Sequence, residues 1–268
     1  MTEIPGTRET VRLAVTVIAY PVISSALGEV VCVAGIRTDS LMQPEWVRLF
    51  PFRRRNLPAE RQIHKWDELE LRIVRSTHDN RPESWAPDLD SVKFVGHLAP
   101  THGWRSRRPL VEPLIVDTMA EVERRQLDDR TSLAAVRSGE VIEIEITQRK
   151  PAELAEARVK AETAVAQGDL FSIETPDEPL EPIPIDVHYV VRYADEPEPR
   201  RLKIIDHELG QAYRRWRHQY SDVNAAIRTK WLDDLCAPKR ETVFFVGNQK
   251  RFPAQFMMLG VYYPPKLG

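Results

Sequence analysis

From Val11 to Leu98 the chain keeps repeating one pattern. Short β-branched or alternating runs, VRLAVTVIAYP, EVVCVAGIR, EWVRLFPF, DELELRIVRS and SVKFVGHL, are cut apart by turn-forming residues. Backbone groups in such runs are satisfied by pairing strand to strand, and few helices separate them. The expectation is a small, strongly curved β-sheet or partly closed barrel. VIEIEITQR extends the theme, with Val141, Glu143 and Glu145 opposing Ile142, Ile144 and Ile146 at period two. Just before it, DDRTSLAAVR reads as a short helix.

The character changes at Pro151. PAELAEARVKAETAVA is an Ala/Glu/Lys-rich helix, and Gly168 is placed to stop it. Glu174 to Pro184 holds four prolines and four acidic residues, a composition that builds no core and reads as a linker. DVHYVVRYA and RLKIID are strands. HELGQAYRRWRHQY and DVNAAIRTKWLDDL each carry one apolar face, Leu209, Tyr213, Trp216 and Tyr220 in the first. TVFFVGN and QFMMLGVYYPP close the chain as two more strands, joined by a basic loop. The fold class is therefore α+β. A β-rich unit spans 1–150, a helix and acidic Pro-rich linker 151–185, and a ββααββ unit 186–268 packs on the first.

The formal net charge of −2 removes any global pull toward nucleic acid or membrane, so attraction must be local. No run reaches the ~20 apolar residues of a membrane span, and the polar opening MTEIPGTRET is no signal peptide. These features point to the cytoplasm, where Cys32 and Cys236 stay as free thiols. His and Cys do not cluster at zinc spacing, and no glycine-rich phosphate loop occurs, so neither metal nor cofactor is expected.

Local charge is informative. Between Trp46 and Arg108 there are thirteen Lys/Arg against eight Asp/Glu. Arg53, Arg54 and Arg55 form one dense group; Arg105, Arg107 and Arg108 form another beside Trp104. Guanidinium forks suit phosphates and an indole suits an unpaired base, so these seven residues are the expected nucleic-acid contacts. The competing reading makes them solvated turn residues paired with nearby acids. A second basic strip, Arg214, Arg215, Arg217 and His218, follows the polar side of an amphipathic helix.

Two strings look catalytic. In RPESW, Glu83 is either a carboxylate held beside Arg81 in a cleft or part of a rigid surface turn. In IIDHEL, Asp206 and Glu208 at a strand end resemble the carboxylates with which nucleases hold a divalent metal, with Asp67, Glu70 or Glu83 to complete the set. The same acids are also what a helix N-terminus selects.

VCVAGI, EWVRLFPF, RPES, KIIDHELGQAY, FFVGN and GVYYPP together resemble the marker strings of an uncharacterised bacterial and archaeal family. That family carries Trp where this chain has His207. The β-rich half also resembles small nucleic-acid-binding barrels of the PUA, ASCH or OB kind. QGDLF is similar to the peptide with which bacterial replication and repair proteins bind the sliding clamp. Gln167, Leu170 and Phe171 would dock there, while Gly168 stands where the motif has Leu. Three functional expectations follow. The first is a nucleic-acid-binding protein (DNA or RNA) accessory to DNA repair, RNA processing or phage defence. The second is a metal-dependent nuclease using Asp206 and Glu208. The third is a clamp-tethered interaction module.

Overall fold

Four of the β-branched runs and a short strand after RPE close on themselves. In the computed structural model, which describes residues 7–24, 27–40, 43–57, 62–167 and 178–267, β1 (Arg8–Ile18) pairs with both β3 (Gly28–Arg37) and β5 (Asp67–Arg75). β3 continues to β4 (Trp46–Phe52), β4 runs parallel to β6 (Ser84–Pro87), and β6 returns antiparallel to β5. The ring β1-β3-β4-β6-β5 is a closed five-strand barrel, compatible with OB- or PUA-like folding. The short β2 (Val22–Ser24) pairs β3, and β7 (Lys93–His97) pairs β5. Alternate residues such as Val11, Leu13, Val33, Leu69, Leu71 and Ile73 fill the interior.

The second half of β1 is buried on both faces, because Val17 and its neighbours Ala34 and Ile36 pack outward against Phe245 and Leu259. That explains why VTVIAY reads as continuous apolar sequence rather than an alternation. A bulge between Val15 and Val17 bends the strand to serve both cores. At the β1–β3 crossing, a Cβ on Gly35 would sit 2.5 Å from the Ala14 carbonyl oxygen and from Leu13 Cδ1. Gly35→Ala is expected to cost about 1–3 kcal/mol of unfolding free energy in urea denaturation. A change near zero would contradict this close approach.

The rest of the chain makes two further sheets. β8 (Ile115–Val116) and β9 (Leu133–Arg137) join β13 (Val243–Gln249) and β14 (Phe252–Tyr262) in a four-stranded sheet ordered β14-β13-β9-β8. β10 (Glu140–Gln148), β11 (Ile185–Arg192) and β12 (Arg200–Lys203) form a three-stranded sheet. α1 (Arg108–Val111) and α2 (Met119–Asp129) precede β9, and α3 (Pro151–Gln167) is solvated along most of its length. α4 (His207–Trp216) and α5 (Val223–Arg228), with a wide turn over Thr229–Asp234, cover the core around Tyr189, Phe244 and Trp231. Strands 11 and 12, the two helices and strands 13 and 14 are the expected ββααββ order.

Two local expectations are corrected. The helix read into DDRTSLAAVR is absent: α2 ends earlier, at Asp129, Arg130 turns left-handed, and Leu133–Arg137 is strand. Ala-rich sequence favours helix, but Leu133 to Val136 lie between two layers where all four side chains are buried, and tertiary packing overrides propensity. The alternation of VIEIEITQR also breaks. A bulge between Val141 and Glu143 leaves Ile142 40% exposed while Ile144 is buried. Among the described residues no helix is long and apolar enough to cross a membrane. The proposed clamp peptide lies outside the described residues; α3 reaches Gln167, but Leu170 and Phe171 fall beyond it.

Candidate functional site at the barrel seam

The predicted residues land in different places. Trp104 is 6% exposed; Trp66, Tyr262 and Tyr263 contact its ring edge-on, and Arg107 covers it. Arg107 lies between Trp66 and Trp104, 4.3 and 4.6 Å from their centroids, and donates to the Leu98 carbonyl oxygen. Burial lowers its pKa to about 10. Arg108 is held by Glu112, Glu241 and the Pro265 carbonyl oxygen. These three are therefore inside the protein, Trp104 covered by Arg107, and Arg108 held by carboxylates. Arg105 is exposed and Arg53 half-buried. Arg55 pairs with Glu29 at 2.6 Å and donates to the Glu178 carbonyl oxygen.

Glu83 is on the turn closed by Ser84 N and the Arg81 carbonyl oxygen, but its side chain points inward. It is 8% exposed and accepts from Ser132 N, Ser132 Oγ and Leu133 N, capping the start of β9 from across the domain seam. Arg81 pairs with Asp79 instead.

Arg54 is different. Its side chain enters a cleft of about 590 Å³ between the barrel and α4, lined also by His64, Asp206, His207, Glu208, Gln211 and Arg215. Asp206 sits there for a local reason: it is the N-cap of α4, its Oδ1 accepting from Glu208 N at 2.9 Å. The capping reading therefore holds, but it is not the whole account. Lys65, just ahead of β5, donates from Nζ to Asp206 Oδ2 at 2.6 Å and to Glu208 Oε2 at 3.0 Å. Lys65 and Asp206 side chains are 10% and 3% exposed, whereas that of Glu208 is 62% exposed. The ammonium thus ties barrel to helix across 141 residues of sequence.

Environment separates the two acids. Burial pushes the Asp206 carboxyl up to about 6, against the pull of Lys65 and helped by the neighbouring Glu208 charge. Lys65 holds Glu208 below the usual carboxylate range. His207 Nε2 faces Arg54 Nη1 at 3.4 Å and Gln211 Nε2 at 3.2 Å. Arginine only donates, so Nε2 accepts and the ring is neutral. Burial, with Arg54, Lys65 and Arg214 nearby, pushes His207 down to about 4. Its Nδ1 is buried with no partner among the described residues.

The wall is aromatic: Trp216, Trp231 and Tyr263 line the cleft, Lys230 lies 5.9 Å from the Tyr263 ring, and Arg215 lies over Trp216. None of the candidate third acids completes a metal site. Asp67 is engaged by His97 and the His64 amide, Glu70 by Arg12 and Lys93, and Glu83 by Ser132. Among the described residues no group of three or more His, Cys, Asp or Glu is placed to hold a metal ion. Lys65 was not anticipated, and nothing in HKWDELE distinguishes it from any surface lysine before a strand. Gln211 and Tyr263 were likewise legible only as helix-face and packing residues.

A closed barrel sealed to an α+β unit, with a cation-rich, aromatic-walled cleft at the seam, defines the class of protein. Residues 115–267 match the family described as "Domain of unknown function (DUF8757)", and the chain belongs to that family. Residues 9–113 match "Domain of unknown function (DUF8758)". No curated protein matches the chain.

Proposed function

We propose that this protein binds nucleic acid, and that the phosphates are held in the seam cleft rather than along the arginine-rich turns. One observation carries the reading. Arg54 and Arg215, from basic runs far apart in sequence, line the same cleft, and neither has a carboxylate partner among the described ion pairs. Guanidinium groups without a carboxylate partner are suited to phosphate oxygens, and Trp216 and Tyr263 offer planar surfaces for unpaired bases.

The test is fluorescence anisotropy with labelled single- and double-stranded DNA and RNA over a salt series. Arg54→Ala and Arg215→Ala are each expected to weaken binding about 5- to 20-fold and to reduce the salt slope by about one. Arg105→Ala, at an exposed position outside the cleft, leaves both unchanged. Absence of binding at low salt, or equal effects from all three variants, defeats the proposal.

Metal-dependent strand cleavage is a second reading, favoured by the convergence of Asp206 and Glu208 on one cation position beside Arg54. A divalent ion would take over that position from the Lys65 ammonium. Labelled oligonucleotides incubated with Mg²⁺ or Mn²⁺ report it directly: cleavage that survives Asp206→Ala unchanged does not come from this site.

A further inference from the structure

A second cavity, of about 280 Å³, lies on the same domain seam and shares no lining residue with the cleft. Tyr20, Phe50, Ile205, Met257 and Leu259 give it a mainly apolar wall. Its polar groups come from separate sequence strings: Arg48 from EWVRLFPF, Arg81 from RPES, and Asn248, Gln249 and Lys250 from FFVGNQK.

Arg48 is the unusual member. It is 4% exposed, yet no described ion pair gives it a carboxylate. Nη2 donates to the Ser132 carbonyl oxygen at 2.8 Å and to Ser132 Oγ at 3.1 Å, Nη1 points to Cys32 Sγ at 3.3 Å, and Nε has no acceptor. The Glu83 carboxylate is linked to the guanidinium through the Ser132 hydroxyl. A buried guanidinium is costly unless an anion or a full set of acceptors meets it. Arg81 does not share this need, since Asp79 and Asn248 occupy it.

We propose that this cavity is a binding site for a small carboxylic acid with an apolar body. The carboxylate would meet the Arg48 guanidinium, whose Nε has no acceptor and whose Nη1 faces only the Cys32 thiol, and the body would lie against Phe50, Tyr20 and Met257. The proposal is independent of nucleic-acid binding in the cleft.

Cys32, half-buried, lines the cavity and supplies a readout; Cys236, outside it, is the internal control. Full-length protein is alkylated with iodoacetamide in the presence of phenylacetate, indole-3-acetate or octanoate, and the two cysteines are followed by peptide mass spectrometry. At about ten times its Kd, a bound acid slows Cys32 alkylation about tenfold and raises the thermal midpoint, leaving Cys236 unaffected. Phenylacetamide and indole-3-acetamide, which keep the body and lose the charge, bind at least about tenfold more weakly. Arg48→Lys weakens the acids by a similar factor. The acid-against-amide comparison needs no variant, so it stands even where Arg48→Lys impairs folding. If no acid protects Cys32 or shifts the midpoint at millimolar concentration, or if the amides do so equally well, the proposal is overturned.

Discussion

Replacing Lys65 with Met is expected to lower the unfolding free energy by about 3–5 kcal/mol, read from urea denaturation near neutral pH. The substitution leaves Asp206, 2% exposed, without the ammonium that lies 2.6 Å from its carboxylate. Glu208 loses the same partner but can hydrate, because its side chain is 62% exposed. Most of the loss therefore belongs to Asp206. Adding Asp206→Asn to Lys65→Met removes the stranded charge and keeps a competent helix cap, so the double variant recovers a substantial part of the deficit. A loss below about 1 kcal/mol for Lys65→Met would place the pair among exposed salt bridges, and an additive double variant would show that the two residues are not coupled.

The second large effect is in pH dependence. Asp206 is raised to about 6 in the folded protein, so its contribution is fully present below the unfolded carboxyl value and is lost as pH rises through about 6. His207 is lowered to about 4, so its contribution is present above the unfolded imidazole value and is lost as pH falls through about 4. Each displacement is worth about 3 kcal/mol, and between pH about 4 and 6.5 the two slopes oppose. Asp206→Asn unmasks the histidine, and its stability relative to wild type falls on acidification through this window. His207→Gln unmasks the aspartate, and its relative stability rises instead. Denaturant midpoints measured across the window check both signs. Two level difference curves would mean that neither group titrates abnormally.

Much of the architecture was legible because strand pairing follows local pattern. The β-branched runs before Leu98 are strands of the barrel and its edge, and the amphipathic spacing of Leu209, Tyr213 and Trp216 marks the buried face of α4. Pattern failed where two layers compete for one segment. Leu133 to Val136 is an interior strand in spite of its alanines, and Ile142 is turned outward by a bulge. The charged residues were least legible. Arg107 and Arg108 look like surface cations in sequence and are buried between aromatic rings and carboxylates.

The candidate sites divide in the same way. Asp206 and Glu208 are recognisable in IIDHEL because a helix start demands such residues locally, whatever else they do. What the sequence by itself determined is most of the strands and helices, the α+β class and a handful of conspicuous charges, since these depend on neighbours along the chain. Which charges remain available was decided only by tertiary structure. Lys65 reaching Asp206 and Ser132 standing between Arg48 and Glu83 are contacts spanning 49 to 141 positions, and Arg54 and Arg215 line one cleft. A side chain's charge has functional meaning only once burial and partners are known, and both arise when the barrel closes against the second unit.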